Sequence, residues 1–586
     1  MLDKSDVARA LREIGHLLEI QGENPFKVRA YETGARAVED LSEDLGALVA
    51  SGRLTEIPGI GEALAKKIAA LHATGHVALL DRLRAELPPG ILRLLEVPDL
   101  GPRKIAALRA ALGVGSLEEL EAACAAGRVR SVKGFGERSE RKILEGIRRL
   151  RARETRTPLG EALEVGEEIL AHLRASPAAL RADLAGSARR FRETVGDLDL
   201  VAATRDPAAL AERFLSFPAI AEVIGRGDTK VSVRLSRGLQ VDLRMVPPED
   251  YATLLHHLTG SKAHHVKLRG LAREHGFTLS EWGLFRLPAG GSGPADSEPD
   301  PGDKVPVREE EDLYRTLGMQ PVPPELREDA GEVEAALAGQ IPEDLVRIED
   351  VRGMVHCHTR WSDGRATVEE MARAAEAMGM EYLTITDHSR VAAYAGGLDA
   401  DRLRRQWEEI DRVQERVKVR LLRGTEADIL EDGALDVPDD VLERLDVVIA
   451  SIHSRLTMSE AEMTRRIARA MRLPVFKILG HATGRLLGER DAYPVRIEEV
   501  LDAVAGSRAA VEVNGDPQRM DLEPRSIRLA RQRGIRFALS TDAHSAAGLR
   551  NLRFAVGTAR RGWMRRGEVL NALPVEEFRM AVRPLG

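Results

Sequence analysis

The N-terminal part of the chain carries apolar residues at helical spacing, with Val7, Leu11, Ile14, Leu17 and Leu18 forming one stripe. Gly- and Pro-marked turns cut residues 1–155 into short segments of the same kind, which predicts an all-helical region. One turn recurs within it: Ile57-Pro58-Gly59-Ile60-Gly61, Val97-Pro98-Asp99-Leu100-Gly101 and Val132-Lys133-Gly134-Phe135-Gly136. A helical pattern follows each copy, and three copies argue against coincidence. Between about 180 and 285 the pattern changes. Leu198-Asp199-Leu200-Val201, Val231-Ser232-Val233-Arg234-Leu235 and Leu239-Gln240-Val241-Asp242-Leu243 alternate or run apolar, as strands do. The stretch from Pro288 to Asp303 is low in complexity and predicts a mobile loop. Beyond Ile341, strand and helix patterns alternate to the end, as in Tyr382-Leu383-Thr384-Ile385 and Val447-Val448-Ile449-Ala450. That alternation predicts a parallel sheet or barrel with helices outside.

Composition narrows the class. At about 150 residues per domain, 586 residues predict roughly four domains. Lysine and arginine total 86 against 93 aspartates and glutamates, a net charge of −7. This excludes a uniformly basic coat for nucleic acid but not local basic patches. The two cysteines, Cys124 and Cys357, lie far apart, which excludes a disulfide scaffold and indicates a reducing compartment. The first twenty residues read as an amphipathic helix rather than a secretion signal. No apolar run approaches the ~20 residues of a membrane helix. The expectation is a soluble, cytoplasmic, multidomain protein with no membrane partner.

The repeated turn has a chemical use. Successive backbone N–H groups at a helix N-terminus suit a phosphate oxygen, and glycine lets a DNA backbone approach closely. The candidate DNA contacts are Gly59, Gly61, Gly101, Gly134 and Gly136. Asp99 replaces a glycine in the second copy, where a carboxylate would repel phosphate. Around the third copy lie Arg128, Arg130, Lys133, Arg138, Arg141, Lys142, Arg148, Arg149, Arg151 and Arg153. Beside such a turn, this run reads as a DNA-backbone contact. The three turns resemble the helix-hairpin-helix motifs of DNA repair proteins.

In Gly196-Asp197-Leu198-Asp199-Leu200, two aspartates one residue apart on a strand point to the same side and can share divalent ions. Two-metal phosphoryl transfer commonly adds a third carboxylate from a neighbouring strand, and Asp242 is the candidate. Gly186-Ser187-Ala188-Arg189-Arg190 precedes the pair by about ten residues. Together these segments resemble the nucleotidyltransferase palm of family X DNA polymerases. The resemblance implies Asp197, Asp199 and Asp242 as catalytic ligands of Mg²⁺ or Mn²⁺, with Asp242 as base for the primer hydroxyl. It implies Ser187 and Arg190 at the triphosphate, with Gly196 also nucleotide-binding. Thr259-Gly260-Ser261-Lys262-Ala263-His264 resembles the family's turn beside the nucleotide sugar, which adds Gly260, His265 and Arg269. Glu281-Trp282-Gly283-Leu284-Phe285 and Pro323-Pro324-Glu325-Leu326-Arg327 are similar to family segments as well. The chain departs from the family pattern at His257-Leu258, where an aromatic pair is usual, and at His265, where asparagine is common. Slow polymerisation or weak sugar discrimination is therefore expected. Lys67 falls at the position of the family's lyase nucleophile, but Ala63 stands where a phosphate-binding lysine is common, and a surface lysine is the favoured reading.

All six histidines after residue 350 lie in segments that read as strand ends or the loops after them: His356, His358, His388, His453, His481 and His544. With Asp363, Glu426 and Asp542 they make the mixed nitrogen and oxygen set suited to Zn²⁺, Mn²⁺ or iron. Cys357 alternates away from its neighbours and reads as a small buried residue. The set resembles the PHP (polymerase and histidinol phosphatase) domain over about 350–570. That resemblance implies three metals, Zn²⁺ and/or Mn²⁺, and 3′–5′ exonuclease action. Arg485 and Arg455 are candidates for contact with the scissile phosphate.

The fold class is multidomain α+β and α/β: a helical helix-hairpin-helix region, a nucleotidyltransferase palm with thumb, and a distorted (β/α)7 PHP barrel. The expected domains are 1–90 (lyase-like, with the first hairpin), 91–155 (hairpin fingers), 156–255 (palm), 256–340 (thumb, with a mobile loop at 286–306) and 350–586 (PHP). The order resembles a bacterial family X DNA polymerase with a C-terminal PHP domain. It implies a gap-filling enzyme of base excision repair with an exonuclease, acting as a monomer on gapped or nicked DNA and deoxynucleoside triphosphates. The runner-up is a DNA-end-processing nuclease whose palm polymerises weakly or not at all. A non-enzymatic DNA-end scaffold leaves the ligand sets unexplained, and a small-molecule phosphatase leaves the hairpins and palm unexplained.

Overall fold

The computed structural model describes Leu2 and residues 4–39, 41, 45–98, 100–154, 156–287 and 304–585. Asp99 and residues 288–303 of the loop expected over 286–306 lie outside the described residues, while Arg286 and Lys304–Val305 at its ends belong to strands. The chain forms two compact units, one of residues up to 155 with Arg390–Gly397, the other of the remainder.

The first unit is helical, as its apolar spacing predicts. The stripe Val7, Leu11, Ile14, Leu17 and Leu18 on the helix Lys4–Ile20 is fully buried, joined by Ile68, Leu108, Leu120 and Ile147 from later helices. Each repeated turn has the same anatomy. A 3₁₀ turn (Arg53–Glu56, Leu92–Glu96 or Val129–Ser131) leads to the glycines, and a helix follows (Glu62–Thr74, Pro102–Leu112 or Glu137–Glu154). Gly59 and Gly134 sit at φ 93° and 91°, a conformation that side chains rarely adopt. Gly61 and Gly101 are the extended N-caps of the helices they precede.

In the second unit, β1 (Thr157–Pro158) pairs with β3 (Thr194–Val195). A five-stranded sheet follows from β2 (Arg181–Leu184), β4 (Asp197–Ala203), β5 (Ile220–Arg226), β6 (Lys230–Leu235) and β7 (Gln240–Val246), in the order β2-β4-β7-β6-β5. Only the pair β4 and β7 is parallel. Leu198, Leu200 and Val241 fill its core. A smaller sheet of β8 (Phe277–Ser280), β9 (Gly283–Arg286) and β10 (Lys304–Val305) packs with the helices Lys262–Glu274, Glu310–Thr316 and Glu332–Leu337. There Glu310 bridges Arg189 and Arg327 at 2.6 and 2.5 Å.

The C-terminal strands are β11 (Gly353–Met354), β12 (Tyr382–Ile385), β13 (Arg420–Asp428), β14 (Val447–Ser451), β15 (Lys477–Leu479), β16 (Ala509–Asn514) and β17 (Phe537–Ser540). They pair in sequence order, all parallel, and a bridge from Cys357 to Ala543 brings the first and last strand ends together. The result is a nearly closed seven-stranded barrel. Helices cover it, and Trp407 on Ala400–Gln414 is the largest fully buried side chain. Among the described residues, no helix is long and apolar enough to cross a membrane.

Glu310 carries a testable consequence. Burial raises its carboxyl, but Arg327 and Arg189 outweigh burial and hold it at about 2, below its ordinary 4.5. A lowered carboxyl adds stability in full above its unfolded value, and that stability is lost as pH falls toward 2. Glu310→Gln should cost about 3 kcal/mol at neutral pH, from a shift of about two pH units, and flatten the acid limb of stability. Urea unfolding against pH measures both.

Candidate active sites

The first site lies on the parallel pair β4 and β7, whose register sets Asp199 directly beside Asp242. Asp197 lies on the same face two residues earlier and is exposed, whereas Asp242 is buried. Asp242 accepts from Lys230 Nζ at 2.6 Å and Gln240 Nε2 at 3.1 Å. Burial, then the charges of Asp197 and Asp242, push the Asp199 carboxyl up to about 7, with Lys230 and Arg190 offsetting part of the shift. Asp199 is thus crowded by two neighbouring carboxylates, and the set of three fits divalent cations.

Gly186 is required here. It sits at φ 58°, and any Cβ would run into Asp199 Oδ2. Ser187 follows in the short helix Gly186–Arg189, and Gly196 is exposed just before Asp197. Arg190 is held by Glu328 at 2.8 Å and donates to the Thr259 carbonyl at 2.7 Å.

The remaining residues expected at the nucleotide sit as follows. Gly260 leaves the helix Tyr251–Thr259 in extended conformation, where a Cβ would crowd His265. His265 stacks on His257 at 5.0 Å and meets His256 and His264 edge-on. Burial, then its histidine neighbours, push it down to about 3, so the ring is neutral. His264 bonds the buried Glu332 at 2.6 Å. Arg269 is exposed on the helix Lys262–Glu274.

In the first unit, Lys67 donates to the Ala63 carbonyl at 3.2 Å. It borders a cavity of about 580 Å³ with Glu62, Lys66 and His76. Gly61, Gly101, Gly134 and Gly136 face open space, while Gly59 faces Thr33. Arg130 and Arg151 of the basic run are paired within the protein. Arg130 grips the buried Glu140 at 2.5 Å, and Arg151 pairs with Glu121 at 2.9 Å.

The barrel gathers the histidines at the C-terminal ends of its strands. His358, Asp363, His388 and His544 each offer an atom within 4.8 Å of the others, as do His356, His358 and Asp542, and His388, Glu426 and His453. His358 and His388 are each shared between two groups. Eight of the nine expected residues fall in these groups. His481 joins them through Glu426, 2.9 Å from its Nε2. Burial lowers His388 and His453, but Glu426 and their other acidic neighbours raise both to about 10. His358 Nδ1 is buried and makes no hydrogen bond. An orphaned ring nitrogen beside a buried acid set fits bound cations.

Several residues escaped sequence reasoning. Glu512 is fully buried, accepts from His356 Nδ1 at 2.6 Å and also bonds Ser540. Asp428 lies 3.3 Å from His453 Nδ1. For Glu512, a charge inside the apolar run Val511-Glu512-Val513 was the available signal. Arg519 stands 3.2 Å from Asp542 Oδ2. Of the two arginines expected near the scissile phosphate, Arg485 donates to the carbonyls of Arg519 and Met520 and approaches Glu193, and Arg455 pairs with Glu431 at 3.0 Å. Cys357 is fully buried and its thiol meets the Thr384 carbonyl at 3.3 Å.

Four regions match known families: a helix-hairpin-helix domain at 3–77, a SAM-like helix-hairpin-helix tandem at 91–149, the DNA polymerase beta thumb at 254–328 and the PHP domain at 355–516. The DNA polymerase/3′-5′ exonuclease PolX of Bacillus subtilis (strain 168) is 38% identical over 579 residues, 98% of this chain and 98% of its own. A probable phosphatase of Caldanaerobacter subterraneus subsp. tengcongensis is 31% identical over 32% of this chain and 74% of its own. A solved ternary P/T complex of Leishmania infantum polymerase beta covers 41% of this chain and 97% of its own at 23% identity, with a TM-score of 0.28. The chain belongs to the family X DNA polymerases that carry a C-terminal PHP domain.

Two measurements test the sites. Because Asp199 takes a proton near pH 7 without a cation, Mn²⁺ should bind the first site about tenfold more weakly per pH unit below neutrality. Mn²⁺ titration of chelator-treated protein across the neutral range reads this. Glu512→Gln should weaken metal retention in the barrel by about 10–100-fold by loosening His356, as measured by chelator competition.

Proposed function

We propose that the chain is a DNA repair polymerase that adds nucleotides at short gaps, with a metal-dependent 3′–5′ exonuclease in its barrel. The observation that carries this reading is the pairing of Asp199 with Asp242 across parallel strands, with Asp197 on the same face. In this reading residues 1–90 and 91–155 bind DNA, 156–255 form the palm, 256–340 the thumb and 350–586 the PHP domain. Asp197, Asp199 and Asp242 hold Mg²⁺ or Mn²⁺. His356, His358, Asp363, His388, Glu426, His453, His481, Asp542 and His544 hold three ions, Zn²⁺ and/or Mn²⁺. Such ions supply charge neutralisation for phosphoryl transfer in the palm and Lewis acidity for phosphodiester hydrolysis in the barrel.

The chain's own residues do the rest. Burial raises the Asp242 carboxyl, but Lys230, Gln240 and Ser232 hold it below its ordinary range, so it stays ionised to accept the primer hydroxyl's proton. Arg190 spends two N–H groups on Glu328 and Thr259, which leaves the others of its guanidinium for the triphosphate beside Ser187. Gly196, Gly260, His265 and Arg269 complete the nucleotide surroundings, with the neutral His257–His265 stack on the sugar side. In the barrel, Glu512 and Asp428 orient His356 and His453 so that the opposite ring nitrogens face the metal cluster. Gly59, Gly61, Gly101, Gly134 and Gly136 present helix N-termini to the phosphates of gapped or nicked DNA, and Lys67 is a surface lysine beside the first hairpin. The enzyme works as a cytoplasmic monomer.

Asp197→Ala should abolish nucleotide addition on gapped, 5′-phosphorylated DNA and leave exonuclease activity standing, whereas Asp542→Ala should do the reverse. Joint loss of both activities in a folded Asp197→Ala protein would overturn the two-site reading. No extension product under Mg²⁺ or Mn²⁺ at any wild-type enzyme concentration would remove the polymerase.

A further inference from the structure

The barrel helix Leu552–Arg561 makes two sets of contacts that lead to Arg190, one with the loop after that residue and one with the segment that holds its guanidinium. The first contact is the loop after Arg190. Phe191 sits at φ 54° with its ring against Gly557, where any Cβ would collide with it. Arg561 donates to the Phe191 carbonyl at 3.2 Å and pairs with Glu193 at 2.9 Å. Both charges are mostly buried. Burial raises the Glu193 carboxyl, and Arg561 with Arg485 outweighs it and keeps the group ionised. Phe554 of the same helix joins the apolar core of the five-stranded sheet.

The second contact runs through the segment 324–332. Arg560 holds Glu325 at 2.7 Å, and three residues on Glu328 holds Arg190 at 2.8 Å. The residues between and beyond are tied down. Arg327 is buried, gripping Glu310 at 2.5 Å and the Val322 carbonyl at 2.8 Å. Asp329 turns the chain at φ 59°, and Arg528 of the barrel donates to the Ala330 carbonyl at 3.2 Å. The helix also packs on β16 and β17, the strands that carry Glu512 and lead to Asp542.

We propose that this helix is a positioning element of the polymerase site, holding Arg190 from both sides so that nucleotide affinity depends on the barrel. Phe191 and Glu193 fix the loop on which Arg190 sits, and Arg560 fixes the segment that orients its guanidinium. Gly557 leaves no slack, because the helix cannot slide without moving Phe191. Arg560 is a positioning residue and touches no substrate. The proposal rests on Arg190 gripping the incoming nucleotide.

The test is single-nucleotide insertion by the metal-loaded full chain on gapped DNA, with exonuclease activity measured in parallel. Arg560→Glu should raise KM for the nucleotide about tenfold, the worth of one partly buried charged hydrogen bond, with kcat changed far less. Glu325→Gln should move KM the same way, more mildly. The charge swap E325R/R560E should restore KM, and exonuclease activity should hold throughout. Arg190→Ala should show at least the same rise in KM. If Arg190→Ala raises KM and Arg560→Glu does not, the helix only docks the domains and the proposal is overturned. Parallel loss of both activities in Arg560→Glu, unrescued by the swap, overturns it as well. If Arg190→Ala leaves KM unchanged, the nucleotide role of Arg190 fails instead.

Discussion

Carboxylates gathered out of water are the constraint around which both sites are built. Burial and mutual repulsion disfavour ionised acids, so each cluster must recruit positive charge. In the palm, Lys230 pairs with Asp242, and Asp199 drifts toward neutrality. In the barrel, His388 and His453 stand against the buried Glu426. In both places the protein supplies part of the counter-charge and leaves the rest for cations. Parallel pairing makes such crowding possible, because adjacent strands set side chains abreast and barrel strands all end on one rim.

Away from the sites, the same Coulomb logic holds the second unit together. Glu193 with Arg561, Glu325 with Arg560, and Glu310 with Arg189 and Arg327 are mostly buried pairs linking the sheet, the thumb and the barrel. Removing one partner from such a pair strands the other in a poorly solvated place, so these contacts act as joints more than as surface decoration. The apolar contacts of Phe191 and Phe554 lie beside them and exclude water. Palm and barrel therefore share one interface in which charge sets the register and packing supplies the tightness.

Much of this was legible in the residues. The stripe Val7, Leu11 and Ile14, the repeated glycine turns, the spacing of Asp197 and Asp199 and the histidines at strand ends all reported local geometry, because a helix or strand repeats over a few residues. Glu512 was legible only as an oddity, a charge inside Val511-Glu512-Val513. Its role depends on His356, 156 residues away. Arg519, with no histidine beside it in the chain, is the arginine that reaches Asp542. His265 shows the same limit. Its position was readable, but its stacking on His257 and loss of charge follow from burial among three other histidines.

The sequence by itself determined which elements form, the order of the domains, the residue types able to bind metal and the family to which they belong. Tertiary structure decided which charges meet. Arg190 and Glu328 are 138 residues apart and Arg560 and Glu325 are 235 apart. The physical reason is range: periodicity is a property of neighbours along the chain, whereas ion pairing and desolvation depend on separations of a few ångströms through space. Only the folded chain brings those groups that close.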